Sequence, residues 1–140
     1  MCLYTRQICP IRARRDIKVY KVLRYDRATG GIITPYVHFP VLTKTIDVSE
    51  EPMEQGGYFT HTIAKGMVHS YNYLPILASY GAASFVVKAI IPKGALYYRG
   101  FHNDCASKKL ILKDIIDTHP KSGWLMENIK RAYENLSESR

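Results

Sequence analysis

The chain has 140 residues, of which 46% are hydrophobic and 23% are charged. These proportions are ordinary for one globular domain, and no apolar run approaches the roughly 20 residues that a membrane-spanning helix requires. Residues 1–15 lack the apolar core of a secretion signal, so we expect a single cytoplasmic domain over residues 1–140. The three cysteines, Cys2, Cys9 and Cys105, show no C-x-x-C spacing, and their odd number disfavours a disulfide framework.

The positive charge is unevenly distributed along the chain. The formal net charge is +8, and the segment from Arg6 to Arg24 holds seven basic residues against one acid, Asp16. A later segment, from Asp47 to Glu54, holds four acids and no base. Such asymmetry is typical of proteins that contact nucleic acid or another anionic partner. A solvated basic face, or a basic strand neutralised by the acidic segment, accounts equally for the pattern.

The first half of the chain predicts a series of strands. In residues 1–15 the apolar side chains follow no regular spacing, which indicates an irregular basic arm. In Asp16–Tyr25, apolar and polar side chains alternate as they do in a half-buried strand. A turn at 26–31 and a return over Ile32–Phe39 indicate a β-hairpin, whose second strand is interrupted by prolines. Further short strands are predicted at 41–46 and 58–64.

Residues 85–112 give the clearest strand pattern in the chain. Phe85–Ile91 is almost entirely apolar and rich in β-branched residues, so we expect a buried strand that ends before a turn at 92–94. Strands are also predicted at 95–99 and 109–115. The polar loop between them contains Cys105, and no neighbouring base is identifiable that would activate this thiol.

Two helices complete the prediction. A short helix over 73–80 follows the candidate cap Asn72, and apolar residues at helical spacing predict an amphipathic helix over 123–136. The expected fold class is therefore α+β. It is a single domain with a mostly antiparallel, twisted sheet of six or seven strands, a short helix and a C-terminal amphipathic helix.

Two groups of residues are candidate sites. His69, Ser70 and Tyr71 follow a predicted strand, and together they offer acid–base chemistry or phosphate binding, although they equally satisfy backbone groups at a strand end. Lys21 and Tyr20 are assigned to the same candidate pocket. The histidines show no metal-ligand spacing, so no metal and no cofactor is predicted.

The second group is a basic, tyrosine-rich face. The chain has 11 tyrosines, and their rings can line a surface for nucleic-acid bases or simply cover the rim of a small sheet. Tyr20 lies among the basic residues of the N-terminal segment. The residues expected to bind an anionic partner are Arg12, Arg14, Arg15 and Lys18.

Several short segments resemble a pattern found in small uncharacterised proteins of gut bacteria (Bacteroides-like) and their phages. The resemblance covers roughly residues 1–115 and implies no particular activity. The segments that carry it are Val19–Leu23, Thr34–Tyr36, Val68–Tyr71, Ile91–Ala95, Tyr97–Gly100, Ala106-Ser107 and Leu110–Leu112.

A fainter resemblance is to the ADP-ribosyltransferase fold. Lys21 stands where that family has an arginine or histidine, and Phe59–Thr62 is similar to its second motif. The third motif would require a glutamate, which is missing from Asp104–Lys109. The resemblance therefore implies a binding or degenerate member.

The leading functional prediction is a non-enzymatic binding or regulatory module, borne by a phage or mobile element, that contacts an anionic partner. The alternative is a nucleotide-binding or degenerate ADP-ribosyltransferase-like domain with its pocket near His69. A protein partner, or self-association through the tyrosines, is a third interpretation. The sequence leaves the oligomeric state open.

Overall fold

A computed structural model describes residues 3–5, 7, 9–35, 40–50, 54–56, 61–65 and 67–137. In chain order, the described strands are β1 (Leu3–Thr5), β2 (Ile11–Arg12), β3 (Ile17–Asp26), β4 (Gly31–Ile33), β5 (Pro40–Val41), β6 (Thr45–Asp47), β7 (Glu54–Gly56), β8 (His61–Lys65), β9 (Val68–Tyr71), β10 (Ser84–Ile91), β11 (Leu96–Arg99), β12 (Asp104–Ser107) and β13 (Lys109–Thr118). The described helices are a 3₁₀ helix (Leu77–Tyr80) and α1 (Gly123–Glu134).

Ten of the described strands form one sheet and three form a second. The large sheet has the order β2-β11-β12-β9-β3-β10-β13-β6, with β4 between β3 and β5, and the small sheet has the order β1-β8-β7. The strand pairs are antiparallel, so the predicted α+β fold with a mostly antiparallel sheet and a C-terminal helix is confirmed. The predicted count of six or seven strands is wrong for the large sheet. Four of its strands have only two or three residues, too few to show a two-residue period in the sequence.

The large sheet closes on itself around the core. β12 and β13 are two parts of one extended segment that is interrupted only at Lys108. β12 pairs with β9 and β13 pairs with β10, while both β9 and β10 pair with β3. The backbone pairing between β9 and β3 is a single residue pair, Tyr20 with Tyr71. One half of the sheet is therefore joined to the other at this pair and through the β12–β13 segment.

The main core lies on the inward face of this sheet. Leu23, Phe85 and Leu110 are fully buried there. Helix α1 covers part of the same core through Ile129 and Tyr133, and the Tyr133 ring meets the Phe85 ring edge to face at a centroid distance of 5.8 Å. Because the buried side chains recur on one stripe of the helix, burial of that stripe is what holds α1 in place.

Parts of the outward face are also covered. Val22 and Val86 pack under the segment that contains the 3₁₀ helix, through Leu77. Tyr98 and Ala106 are fully buried on the outward side of β11 and β12, and β1 contacts β12 there. The outward face stays exposed around Lys18 on β3, Lys88 on β10 and Lys113 on β13.

Three segments differ from the sequence prediction. The predicted helix over 73–80 is only a 3₁₀ helix that ends at Gly81 with φ +96°, because Leu74 and Ile76 are exposed and the segment has no apolar stripe to bury. The predicted polar loop contains β12, whose residues are buried on both faces. Residues 1–15, expected as an irregular arm, contain β1 and β2.

No helix in the described part of the chain is long and apolar enough to cross a membrane.

Candidate functional site

The outward face of β3 and β10 carries exposed lysines. Lys18 and Tyr20 on β3 lie opposite Ile90 and Lys88 on β10. The two lysines are exposed, whereas Tyr20 and Ile90 are half-buried. Val19, between Lys18 and Tyr20, is buried in the core because successive strand residues point to opposite faces. The lysines therefore project from the side of the sheet that is turned away from the core.

Strand β13 extends this surface. Ile111 pairs with Ile90 and is half-buried. A bulge in the pairing of β10 with β13 sets Lys113 and Asp114 opposite Lys88, and both of these β13 residues are exposed. Lysine side chains thus alternate with apolar side chains across three adjacent strands, with one carboxylate at the β13 side.

The arginines predicted to bind an anion lie near the ends of these strands. Arg12 on β2 donates a hydrogen bond from Nη1 to the carbonyl of Gly94, in the turn between β10 and β11, at 3.0 Å. Arg14 and Arg15 are exposed in the loop that leads from β2 into β3. The structure therefore gathers them around the turn that follows β10, next to the strand that carries Lys18.

Three cations of this surface were missed by the sequence interpretation: Lys88, Lys93 and Lys113. The backbone N–H of Lys93 donates to Asp16 Oδ1 at 2.9 Å, which ties the β10–β11 turn to the loop before β3. Lys88 is the one charged residue within the apolar strand β10, a signal that the sequence did contain. We call the following residues the basic face: Arg12, Arg14, Arg15, Lys18, Lys88, Lys93 and Lys113.

The charge of the basic face is largely uncompensated. Asp16 and Asp114 are the carboxylates beside it. Among the described residues, Lys18, Lys88 and Lys113 form no ion pair. Because ammonium groups without a counter-charge attract anions, this surface has the electrostatic character of a polyanion contact.

The five residues predicted for a pocket come from two neighbouring strands, β3 and β9. Tyr20 pairs with Tyr71, and Lys21 Nζ donates to the carbonyl of His69 at 2.8 Å. His69 and Ser70 are successive residues of β9, so their side chains point to opposite faces of the sheet. The structure thus brings the backbones together, but it does not direct the His69 and Ser70 side chains into one cavity.

Burial changes the acid–base properties of two of these groups. It lowers the pKa of Lys21 from 10.5 to about 8. Burial, followed by the positive charge of Lys21, lowers the pKa of His69 from 6.5 to about 4. At neutral pH, His69 is therefore uncharged and a weaker proton acceptor than an ordinary histidine, while Lys21 is still mostly protonated.

Tyr71 lies at the covered end of this cluster. Its side chain is 7% exposed, and its hydroxyl shares a hydrogen bond of 2.6 Å with the hydroxyl of Tyr80. The Tyr73 ring packs against the Tyr71 ring at a centroid distance of 5.4 Å. Tyr71 therefore links β9 to the segment that carries the 3₁₀ helix.

The Cys105 thiol shows no sign of catalytic activation. Cys105 is buried in β12, and burial raises the pKa of its thiol to about 11. Its Sγ donates to Asn72 Oδ1 at 3.5 Å. Cys9 is free and exposed, and Cys2 lies outside the described residues. In the described ranges, no three His, Cys, Asp or Glu side chains are placed to share a metal ion.

A groove of about 470 Å³ runs between β13 and α1. The charged residues that line it are Lys44, Asp114, Asp117, Lys121, Lys130 and Glu134. Lys121 pairs with Asp117 at 2.6 Å, and Lys44 Nζ lies 5.1 Å from the centre of the Tyr133 ring. Cations and carboxylates are balanced in this groove, so it does not select for anions as the basic face does.

Comparisons with protein-family models, with curated proteins and with solved structures found no match to this chain. The two resemblances therefore stay predictions. Of the segments that suggested an ADP-ribosyltransferase, Phe59 and Thr60 lie outside the described residues, and Lys21 is buried in the core.

Proposed function

We propose that this protein is a binding module for a polyanion, with single-stranded nucleic acid as the favoured partner, and that the basic face is its contact surface. The observation that carries the proposal is the row of unpaired lysines across β3, β10 and β13. Lys18 lies diagonally opposite Lys88, and Lys113 is beside Lys88 on the next strand. Diagonal neighbours of this kind are about 7–8 Å apart, similar to the spacing of phosphates along a nucleic-acid strand.

The apolar groups between the lysines favour a single strand over a duplex. Tyr20 and Ile90 are half-buried and lie directly between Lys18 and Lys88 in the pairing register. Bases of a single strand are free to stack on such groups, whereas a duplex presents mainly phosphates. The exposed Arg14 and Arg15 would continue the phosphate contacts beyond the strand end.

The test is binding of a short, fluorescently labelled single-stranded DNA or RNA, followed by anisotropy at several salt concentrations. We expect a Kd of roughly 1–100 µM at moderate salt, and a steep loss of affinity between about 50 and about 200 mM salt, because binding releases counterions. The double variant Lys18→Gln/Lys88→Gln is expected to bind at least about tenfold more weakly and to reduce the salt slope by roughly one for each lost contact.

The matched control is Lys130→Gln/Arg131→Gln, which removes the same charge from the exposed side of α1. If this control weakens binding as much as the β3–β10 variant, the attraction is a property of net charge and the proposed surface is wrong. The same outcome follows if no polyanion binds at low salt. Stabilisation by NAD or a mononucleotide that does not depend on salt, and that is lost in His69→Gln, would instead support the alternative nucleotide-binding function.

A further inference from the structure

A charged side chain points into the main core from β3. Lys21 lies two residues from Val19 and two from Leu23, both of which belong to the core, and alternation along the strand puts all three on the same face. Lys21 is 8% exposed. An ammonium group is thus buried on the core side of the closed sheet.

Two hydroxyl groups share this face. Ser70 lies two residues from the core residue Val68 on β9, and Ser107 lies two residues from the core residue Cys105 on β12. Both serines therefore face the core. In the register, Ser70 pairs with Cys105 and Ser107 pairs with Val68, so the two serines are diagonal neighbours. Both serines are 0% exposed, and both hydroxyl oxygens lack a hydrogen-bond partner among the described residues.

The lysine lies opposite one of these serines. Since Tyr20 pairs with Tyr71, the next residues of the two strands, Lys21 and Ser70, face each other across the gap where β3 and β9 separate. The ammonium group carries three N–H donors, and the one hydrogen bond that the structure gives it goes to the carbonyl of His69. Burial accounts for the lowered pKa of Lys21, with no contribution from a neighbouring carboxylate.

This group of side chains therefore has an excess of donors and a positive charge. We propose that Lys21, Ser70 and Ser107 form an internal binding site for one small monovalent anion, either a halide or a carboxylate no larger than formate. Such an anion accepts hydrogen bonds from the ammonium group and both hydroxyls, and it neutralises the buried charge. A water molecule satisfies the hydroxyls but leaves the charge of Lys21 without a counter-ion. This site is on the opposite face of the sheet from the basic face and does not depend on the proposed polyanion binding.

The test is urea unfolding of the whole chain in sodium gluconate, with chloride, bromide or formate replacing gluconate at constant ionic strength. Gluconate is too large for an internal site, so screening is held constant while the small anion varies. We expect a saturable rise in stability, in which the unfolding equilibrium constant falls by the factor 1 + [anion]/Kd, or about 100-fold at 100 times Kd. The Lys21→Met variant is expected to lose this rise.

Lys130→Met is the matched control, because it removes an exposed lysine from α1, outside both the internal site and the basic face, and is expected to respond to anions as the original chain does. If Lys21→Met does not fold, Ser70→Ala and Ser107→Ala replace it, and each is expected to raise the apparent Kd several-fold. Titration of the Lys21 side chain by NMR gives a second measurement, since a bound anion raises its pKa. The proposal is overturned if stability is indifferent to the small anion, which would leave water as the occupant. It is also overturned if the Lys21 or serine variants respond like the Lys130 control.

Discussion

At the scale of single residues, the unusual feature of this protein is that several buried polar side-chain atoms have no hydrogen-bond partner among the described residues. His69 Nε2 and Asp104 Oδ1 are buried and have no hydrogen-bond partner in the described part of the chain. A buried polar atom without a partner costs about 1–3 kcal/mol relative to one that is satisfied. The shielding of His69 makes the free energy of unfolding sensitive to pH, because its imidazole titrates differently in the folded and unfolded states.

His69 provides a test of this sensitivity. Burial lowers its pKa in the folded state to about 4, from 6.5 in the unfolded chain. Between these values the unfolded state binds a proton that the folded state does not, so stability rises with pH and is lost as pH falls from about 6.5 towards 4. The loss is roughly 3 kcal/mol by linkage.

The measurement is urea unfolding at pH 7 and at pH 4.5 for the original chain, for His69→Gln and for His119→Gln. We expect His69→Gln to be clearly less sensitive to acid, whereas replacing the exposed His119 should change little. Equal acid sensitivity in all three proteins would show that His69 is not buried as described.

At the scale of elements, a strand that is buried on both faces lacks the alternation of polar and apolar residues from which a strand is predicted. β12 is buried on both faces, with Cys105 in the main core and Ala106 packed against Met67 and Tyr98, so its residues show no alternation between polar and apolar. Helix α1 is the opposite case. It has one buried stripe and one solvated face, and its position was therefore predictable from spacing.

Helix α1 is expected to contribute to stability chiefly through its buried stripe. Ile129 is 0% exposed in the main core, so Ile129→Ala should lower the free energy of unfolding by about 3 kcal/mol through lost burial and the cavity left behind. Glu127→Ala, on the exposed side of the same helix, should change it by less than about 0.5 kcal/mol. Urea unfolding measures both. A small effect of Ile129→Ala would mean that α1 is not docked on the sheet.

At the scale of the whole molecule, the sheet is a ring with one weak closure. The backbone pairing of β9 with β3 is limited to Tyr20 and Tyr71, whereas β10 pairs with β3 along its full length. The strands β9, β11 and β12 should therefore open more readily than β3, β10 and β13. Most of the basic face lies on or beside β3, β10 and β13, the strands with the more extensive pairing. We therefore expect this surface to keep its shape when the other strands open.

Hydrogen exchange tests the weak closure. In Tyr71→Ala, amide protection in β9, β11 and β12 should fall at least about tenfold more than protection in β10 and β13. Tyr71→Phe keeps the ring but removes the hydrogen bond to Tyr80, and it should have the smaller effect. A uniform loss of protection through both halves would indicate that the sheet opens as one unit.

The part of the candidate site that lies on a single strand could be predicted from the sequence of that strand. Lys18 and Tyr20 were predicted on the outward side of a strand because alternation over residues 17–25 is strong. Lys88 and Lys113 were missed because membership of the same face depends on pairing between strands and on a bulge in β13. In the same way, nothing in the local sequence relates Lys21 to Ser107, which strand pairing places on the same face of the sheet.

The sequence by itself determined the antiparallel strands, the hairpin of β3 and β4 and the C-terminal helix, because hydrophobic periodicity is a local property of the chain. The tertiary structure alone decided the number and order of strands, the closure of the large sheet and the burial of Lys21, Cys105 and the Nε2 atom of His69. These depend on contacts between residues far apart in the sequence, where the burial of two faces overrides the local pattern of polar and apolar residues.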